Sequence, residues 1–122
     1  MKKLVLAAAL AACAAPAAAS NWVTVGRNTS QSVYEVDLDS VQRDGNSVTF
    51  WLRVHYGSVA ADATSDGYVA RRHADCSDRS YNDLQTDYMM NGKVTRTSGA
   101  EEKRFAAPDS IAAAVINKVC GK

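Results

Sequence analysis

The segment 47–57 constrains the fold more than any other part of the sequence, because apolar and polar residues alternate through it. One side of its two-residue period is apolar: Val48, Phe50, Leu52, Val54 and Tyr56. The other side carries Thr49, Trp51, Arg53 and His55. A period of two that is rich in β-branched and aromatic residues predicts a long strand with one face buried and the other turned away from the core.

Shorter segments with the same period predict the other strands of an antiparallel sheet. They are 22–25, 33–38, 68–75, 81–90 and 93–97. Asp44-Gly45-Asn46 before the central strand and Asn91-Gly92 after 81–90 predict tight hairpins, because Asn, Asp and Gly tolerate positive φ. The polar stretch 57–67 predicts an exposed loop. In 33–38 the period places Glu35 on the polar side.

One amphipathic helix is predicted near the end of the chain. Asp109 and Ser110 are candidate N-cap residues, because their side chains can accept hydrogen bonds from the free amides of the first turn. Apolar residues recur at helical spacing after them, at Ile111, Val115 and Val119. The fold class predicted from these elements is α+β: a single antiparallel sheet of about six strands with a C-terminal helix packed on one face.

Residues 1–19 predict a signal peptide that precedes the folded domain, which is expected to comprise residues 20–122. Lys2 and Lys3 supply a positive start, an apolar run follows, and Ala17-Ala18-Ala19 provides the small residues that signal peptidase accepts. The apolar run is too short to span a bilayer. We therefore expect a protein exported beyond the inner membrane, to the periplasm, the outer-membrane surface or the medium.

A second processing route stays open at Leu10-Ala11-Ala12-Cys13, which also resembles a bacterial lipobox. On that route Cys13 would be acylated and become the N-terminus, so lipidation of Cys13 is the one condition under which membrane attachment is expected. Ordinary cleavage after Ala19 is favoured, because the apolar stretch before Cys13 is near the lower limit for a signal.

The charge balance and the motifs exclude several classes of function. Lys2 and Lys3 are the only charged residues of 1–19, so the formal net charge falls from +1 for the full chain to −1 for the domain. This balance argues against nucleic-acid binding. No nucleophile-elbow glycines flank a serine and no Gly-rich phosphate loop follows a strand. We expect no enzymatic activity, no cofactor and no metal site.

Cys76 and Cys120 are the two cysteines of the mature domain, one at the end of a predicted strand and one at the end of the helix. Thiols in an exported domain usually pair, so a disulfide between them is predicted. It would close a loop that the chain-entropy model values at about 4 kcal/mol. A redox or metal pair is the alternative, with His55 and His73 as the available imidazole ligands, but no CxxC spacing supports it.

The polar side of the central strand is the candidate binding surface. Trp51, Arg53 and His55 point away from the helix if the apolar row faces it, and Arg71 and His73 share that orientation on the later strand. Trp and Arg are favoured interface residues and suit cation–π contact with a partner. The alternative also stays open: Trp51 is covered by the segment around Trp22 or by a loop, and the arginines are only solvated.

The order of residues along the domain resembles the bacterial surface-adhesin protein E family. The matching residues are Trp22-Val23, Gly26, Tyr34, Asp37, Ser40, Arg43, Gly45-Asn46, Val48, Trp51, Tyr56, Asp75-Cys76, Arg79, Gly92-Lys93-Val94, Pro108, Ser110 and Val119-Cys120. Phe105 stands where a Trp is expected, and the loop 57–67 differs from the family pattern.

The resemblance implies an antiparallel sheet backed by the C-terminal helix, with a disulfide between them. It also implies exposure at the cell surface, formation of a homodimer and attachment to host matrix or plasma proteins such as vitronectin, laminin and plasminogen. No residue motif for those activities transfers position by position. The function expected from it is that of an exported, non-catalytic binding protein. A periplasmic accessory protein that binds an endogenous peptide or envelope component is the alternative.

Overall fold

The computed structural model describes residues 20–121. Its strands and helix are β1 (Trp22–Arg27), β2 (Val33–Asp37), β3 (Gln42–Asp44), β4 (Ser47–His55), β5 (Gly67–Asp75), β6 (Ser80–Met90), β7 (Lys93–Ser98), β8 (Arg104–Phe105) and α1 (Ile111–Cys120). A 3-10 turn, Leu38–Ser40, joins β2 to β3. The predicted signal peptide and Cys13 lie outside the described residues.

All strand pairs in this part of the chain are antiparallel and belong to one sheet. Six strands follow one another in the order β1-β2-β4-β5-β6-β7, while β3 pairs with β4 and β8 pairs with β6. This confirms the predicted fold class. The sequence pattern did not predict β8, which has only two residues and therefore shows no period.

The two predicted hairpins are present. Gly45 has a positive φ of 63° between the paired residues Asp44 and Ser47. Asn91 and Gly92 both have positive φ, 52° and 83°, between Met90 and Lys93. Two-residue turns need such angles because their twist then matches that of the flanking strands.

The second strand ends one residue earlier than predicted, and Asp37 is the reason. Its Oδ1 accepts hydrogen bonds from the backbone amides of Asn21 (2.8 Å) and Asp39 (3.1 Å). A carboxylate that accepts from the second residue after it favours a turn over a continued strand. Leu38 therefore opens the 3-10 turn, although it still packs against the core.

The core lies between α1 and the inward row of β4. The helix contacts β1, β2 and β4, and every second residue of β4 is buried. The buried apolar cluster consists of Val36, Val48, Phe50, Leu52, Val54, Ala74, Val115, Ile116 and Val119. Burying a side chain of this size contributes roughly 1.5–3 kcal/mol, so this cluster supplies most of the driving force for folding.

Both ends of α1 are capped as expected. Ser110 is the N-cap, since its Oγ accepts a hydrogen bond from the amide of Ala113 at 3.1 Å. Gly121 ends the helix in the left-handed conformation with φ 82°. Among residues 20–121, no helix combines the length and the apolar character that crossing a membrane requires.

A disulfide joins Cys76, just after β5, to Cys120 at the end of α1. The Cα atoms are 5.9 Å apart and the cysteines are separated by 44 positions in the sequence. Arg43 of β3 covers the bond, with one guanidinium nitrogen 3.8 Å from Cys76 Sγ and another donating to the carbonyl of Val119. The predicted pairing is therefore confirmed.

Replacing Cys76 and Cys120 together by Ser should lower the free energy of unfolding by about 4 kcal/mol, because the unfolded chain gains the freedom of the opened loop. Urea denaturation followed by circular dichroism measures this loss. Treating the original protein with a reductant should produce a matching drop. A loss under roughly 1 kcal/mol would contradict a structural role for the bond.

A buried ion pair interrupts the apolar surface of the sheet beyond the helix. Arg72 Nε lies 2.6 Å from Asp83 Oδ1, and both side chains are 5% exposed. Burial alone would lower the pKa of Arg72, but the hydrogen bonds and the charge of Asp83 outweigh it and raise that pKa. The guanidinium also stacks on Tyr81, 4.6 Å from the ring centre. Each of the two charges is therefore tolerated in the interior only while the other is present.

The variant Asp83→Ala should lose about 3–5 kcal/mol of stability, because it leaves the Arg72 charge buried and unpaired. The matched control is Glu101→Ala, which breaks the exposed pair between Glu101 and Arg104 and should cost at most about 1 kcal/mol. Urea denaturation of the two variants gives the comparison. Equal losses of stability in the two variants would contradict the expectation that the buried Arg72–Asp83 pair matters more for stability than the exposed pair.

Candidate functional site on the outer sheet face

The surface of the sheet turned away from α1, here called the outer face, carries the polar row of β4. Trp51 and Arg53 alternate with buried neighbours and are half-buried, and His55 at the end of the strand is exposed. On β5, Arg71 is exposed and His73 is half-buried. The inward row of β4 faces the helix, so alternation along β4 turns Trp51, Arg53 and His55 to the opposite side. Arg71 and His73 share that side, because each lies directly opposite an outward residue of β4.

The register of β4 and β5 brings some of these residues together and separates others. Trp51 lies directly opposite Arg71, and His73 lies opposite Thr49. His55 lies opposite Gly67 at the far end, roughly 20 Å from the position of His73 at 3.3 Å per residue. The two imidazoles are therefore too far apart to share a ligand.

Glu35 of β2 organises the other end of the outer face. It lies opposite Arg53, whose Nε donates to Glu35 Oε1 at 2.7 Å. The same oxygen lies 2.9 Å from Nε2 of His55. Because a carboxylate oxygen can only accept, Nε2 is the protonated ring nitrogen. Trp22 completes the group, since Cζ of Arg53 lies 4.2 Å from the centre of its ring.

These contacts keep Glu35 ionised. Partial burial would raise its pKa, but hydrogen bonds and charge from Arg53 and His55 outweigh that effect and lower the pKa below its ordinary value of 4.5. A carboxylate held in this way is a poor general acid at neutral pH. Its effect here is to fix the positions of two donor side chains.

An open cleft lies beside this group on the outer face. Its volume is about 430 Å³. The residues that line it include Arg53, His55, Val59 of the loop between β4 and β5, Asp66, Gly67, Val69 and Met89. In the register, Gly67 lies between His55 and Met89, so β5 contributes no side chain at that position. The cleft is therefore apolar at its Met89 end and carries donors at its Arg53 end.

Sequence reasoning missed several residues of this site. The two-residue period had already placed Glu35 on the polar side of its strand, but only the pairing of β2 with β4 sets it opposite Arg53. Trp22 was considered as a cover for Trp51, whereas its ring stacks on Arg53. No local signal marks Val59, Val69 or Met89 as neighbours, because they lie on three separate segments.

The scan against family models matches residues 22–121 to the model described as surface-adhesin protein E. The chain belongs to this family. Neither the curated proteins nor the solved structures contain a match. The match covers all of the strands and the helix, so the sheet, the disulfide and the outer face are parts of an adhesin E domain.

Membership of the adhesin E family supports three coarse statements about the chain. The family is one of surface adhesins, so membership indicates an adhesin-like binding role, protein partners and an exported or surface location. Within residues 20–121, no group of three or more His, Cys, Asp or Glu side chains is placed to hold a metal ion.

Glu35→Gln should lower stability by roughly 1 kcal/mol at pH 7, because it removes the charge from a partly exposed ion pair. The folded pKa of Glu35 is lowered, so its stabilising contribution is complete above about pH 5 and is lost as the pH falls through the folded pKa. The difference between the two proteins should therefore shrink from about pH 4.5 downward.

Urea denaturation at a series of pH values measures this difference. Glu102→Gln is the matched control, because Glu102 is exposed in the loop before β8 and its loss should change stability by less than about 0.5 kcal/mol. A gap between the Glu35 variant and the original protein that stays constant down to pH 3 would contradict the assignment.

Proposed function

We propose that this chain is an exported, non-catalytic binding protein that attaches to host matrix or plasma proteins through the outer face. The observation that carries the proposal is the contrast between the two faces of one sheet. The inner face is covered by α1, and beyond the helix it contains the buried Arg72–Asp83 ion pair. The outer face keeps Trp51, Arg71 and His55 at least partly accessible beside an open cleft.

The composition of the outer face suits a protein partner. Trp and Arg are enriched among residues whose truncation weakens interfaces, because both offer large contact areas. Arg71 makes no ion pair with any residue of 20–121. Its guanidinium therefore remains available to a partner, next to the indole of Trp51.

Replacing Trp51 by Ala should weaken binding to vitronectin, laminin or plasminogen by about 30-fold, the effect of losing an interface residue worth about 2 kcal/mol. Arg71→Ala should weaken it in the same direction. Surface plasmon resonance with the purified domain measures both effects.

Lys118→Ala is the control for this experiment, because Lys118 is an exposed cation on α1, on the other side of the sheet. Its affinity should equal that of the original domain. If both outer-face variants bind as tightly as the control, the outer face is not the attachment surface.

A second function is supported by the edge strand β7. The sheet order ends at β7, and all its residues except Ser98 are exposed. An exposed edge can accept a further strand from an extended peptide. A periplasmic accessory protein that binds an endogenous peptide or envelope component would use this edge rather than the outer face.

Surface labelling of intact cells separates the two functions. Lys93, Lys103 and Lys118 are exposed, so a membrane-impermeant amine reagent should modify the protein if it is on the cell surface. Protection in intact cells and labelling after lysis would place it in the periplasm and contradict the adhesin function.

Mass spectrometry of the same sample separates a start at Ser20 from an acylated Cys13. Sedimentation equilibrium of the purified protein tests the expected homodimer.

A further inference from the structure

We propose that the cleft on the outer face is a subsite for one apolar side chain of the partner, with Arg53 binding a carboxylate that lies next to that side chain. This inference rests on the proposed function, because it names the chemistry that the outer face recognises. The occupant is therefore a short segment of partner protein in which an aliphatic residue and a carboxylate are adjacent.

The size of the cleft suits a short peptide segment that carries one aliphatic side chain. Its volume of about 430 Å³ is near the lower end of the range for small-ligand sites. Val69 and Met89 form its apolar side on the sheet, and Val59 of the neighbouring loop, 43% exposed, also lines it. An aliphatic group that enters between them replaces water at three apolar surfaces, which is favourable in proportion to the area covered.

Arg53 is held ready for a carboxylate. Glu35 binds its Nε and the Trp22 ring stacks on its plane, so the side chain is already ordered before a partner arrives. Its two terminal nitrogens donate no hydrogen bond to any residue of 20–121. A planar guanidinium with two parallel N–H donors matches the two oxygens of a carboxylate, and the ordering that normally opposes binding has already occurred.

The charges around the cleft set the direction of the ligand. Asp66 lines the cleft, and its Oδ2 accepts the amide of Asn91 at 3.0 Å. Its negative charge therefore lies at the hairpin between β6 and β7, together with Met89. A ligand carboxylate is repelled from that end, and at the other end it can accept hydrogen bonds from the two terminal nitrogens of Arg53, which Glu35 does not use. The aliphatic group consequently points toward Met89.

The matched probes N-acetyl-leucine and N-acetyl-leucinamide test this inference, because they share the aliphatic group and differ only in the carboxylate. Each is titrated into the domain while amide NMR spectra are recorded. The acid should shift the amide signals of Arg53, His55, Gly67 and Met89 in a saturable way. The amide probe should bind about tenfold more weakly, a difference of about 1.4 kcal/mol.

Two variants locate the binding. Arg53→Gln should reduce the affinity for N-acetyl-leucine about tenfold and abolish the preference for the acid over the amide. Arg104→Gln makes the same chemical change in an exposed ion pair outside the cleft, and should leave both unchanged. Val59→Asp changes only an exposed loop residue, so the fold is retained, and the new charge should repel the acid probe.

The results separate this inference from the proposed function. Equal affinity for the acid and amide probes, or shifts that avoid the cleft, would overturn the subsite even if Trp51→Ala weakens binding of the partner protein. Saturable, acid-selective binding in the cleft establishes the subsite even if the Trp51 and Arg71 variants bind the partner protein normally. In that second case only the proposed role of Trp51 and Arg71 in attachment fails.

Discussion

The two-residue period of β4 is the constraint on which the rest of the structure depends. Val48, Phe50, Leu52 and Val54 are almost completely buried against α1. A one-residue slip in pairing would move all four into water, so the register of β4 with β2 and β5 is strongly specified. The same register fixes the opposite row, and Trp51, Arg53 and His55 face outward as a direct consequence.

The helix covers only part of the sheet, and the remainder is closed by polar and aromatic side chains. The helix packs on β1, β2 and β4. Beyond it, Tyr68 packs edge-on to Tyr56 and beside Tyr88, and burial raises the pKa of the Tyr68 hydroxyl. A bulge in β6 sets Asp83 opposite Arg72. This half of the sheet is therefore held by specific pairs more than by apolar volume.

Charged groups have different effects on the two faces. On the inner face, Arg72 and Asp83 are withdrawn from water, and each is stable there only because the other is present. On the outer face, Glu35 remains 17% exposed and Arg53 33% exposed, so solvent screens their attraction and the pair adds little stability. What the outer pair provides is order: Glu35 and Trp22 fix a guanidinium at the rim of a cleft. Ordered donors lose less entropy when a partner binds.

The sequence alone determined the local elements: the long central strand, both hairpins, the capped helix and the pairing of Cys76 with Cys120. Each of these depends on residues close in the chain or, for the disulfide, on having only two mature cysteines. The tertiary structure decided which side chains meet across strands, such as Glu35 with Arg53, and where loop residue Val59 comes to lie beside Met89. Those neighbours are set by strand register and loop path, which depend on the packing of the whole sheet and leave no trace in any short segment.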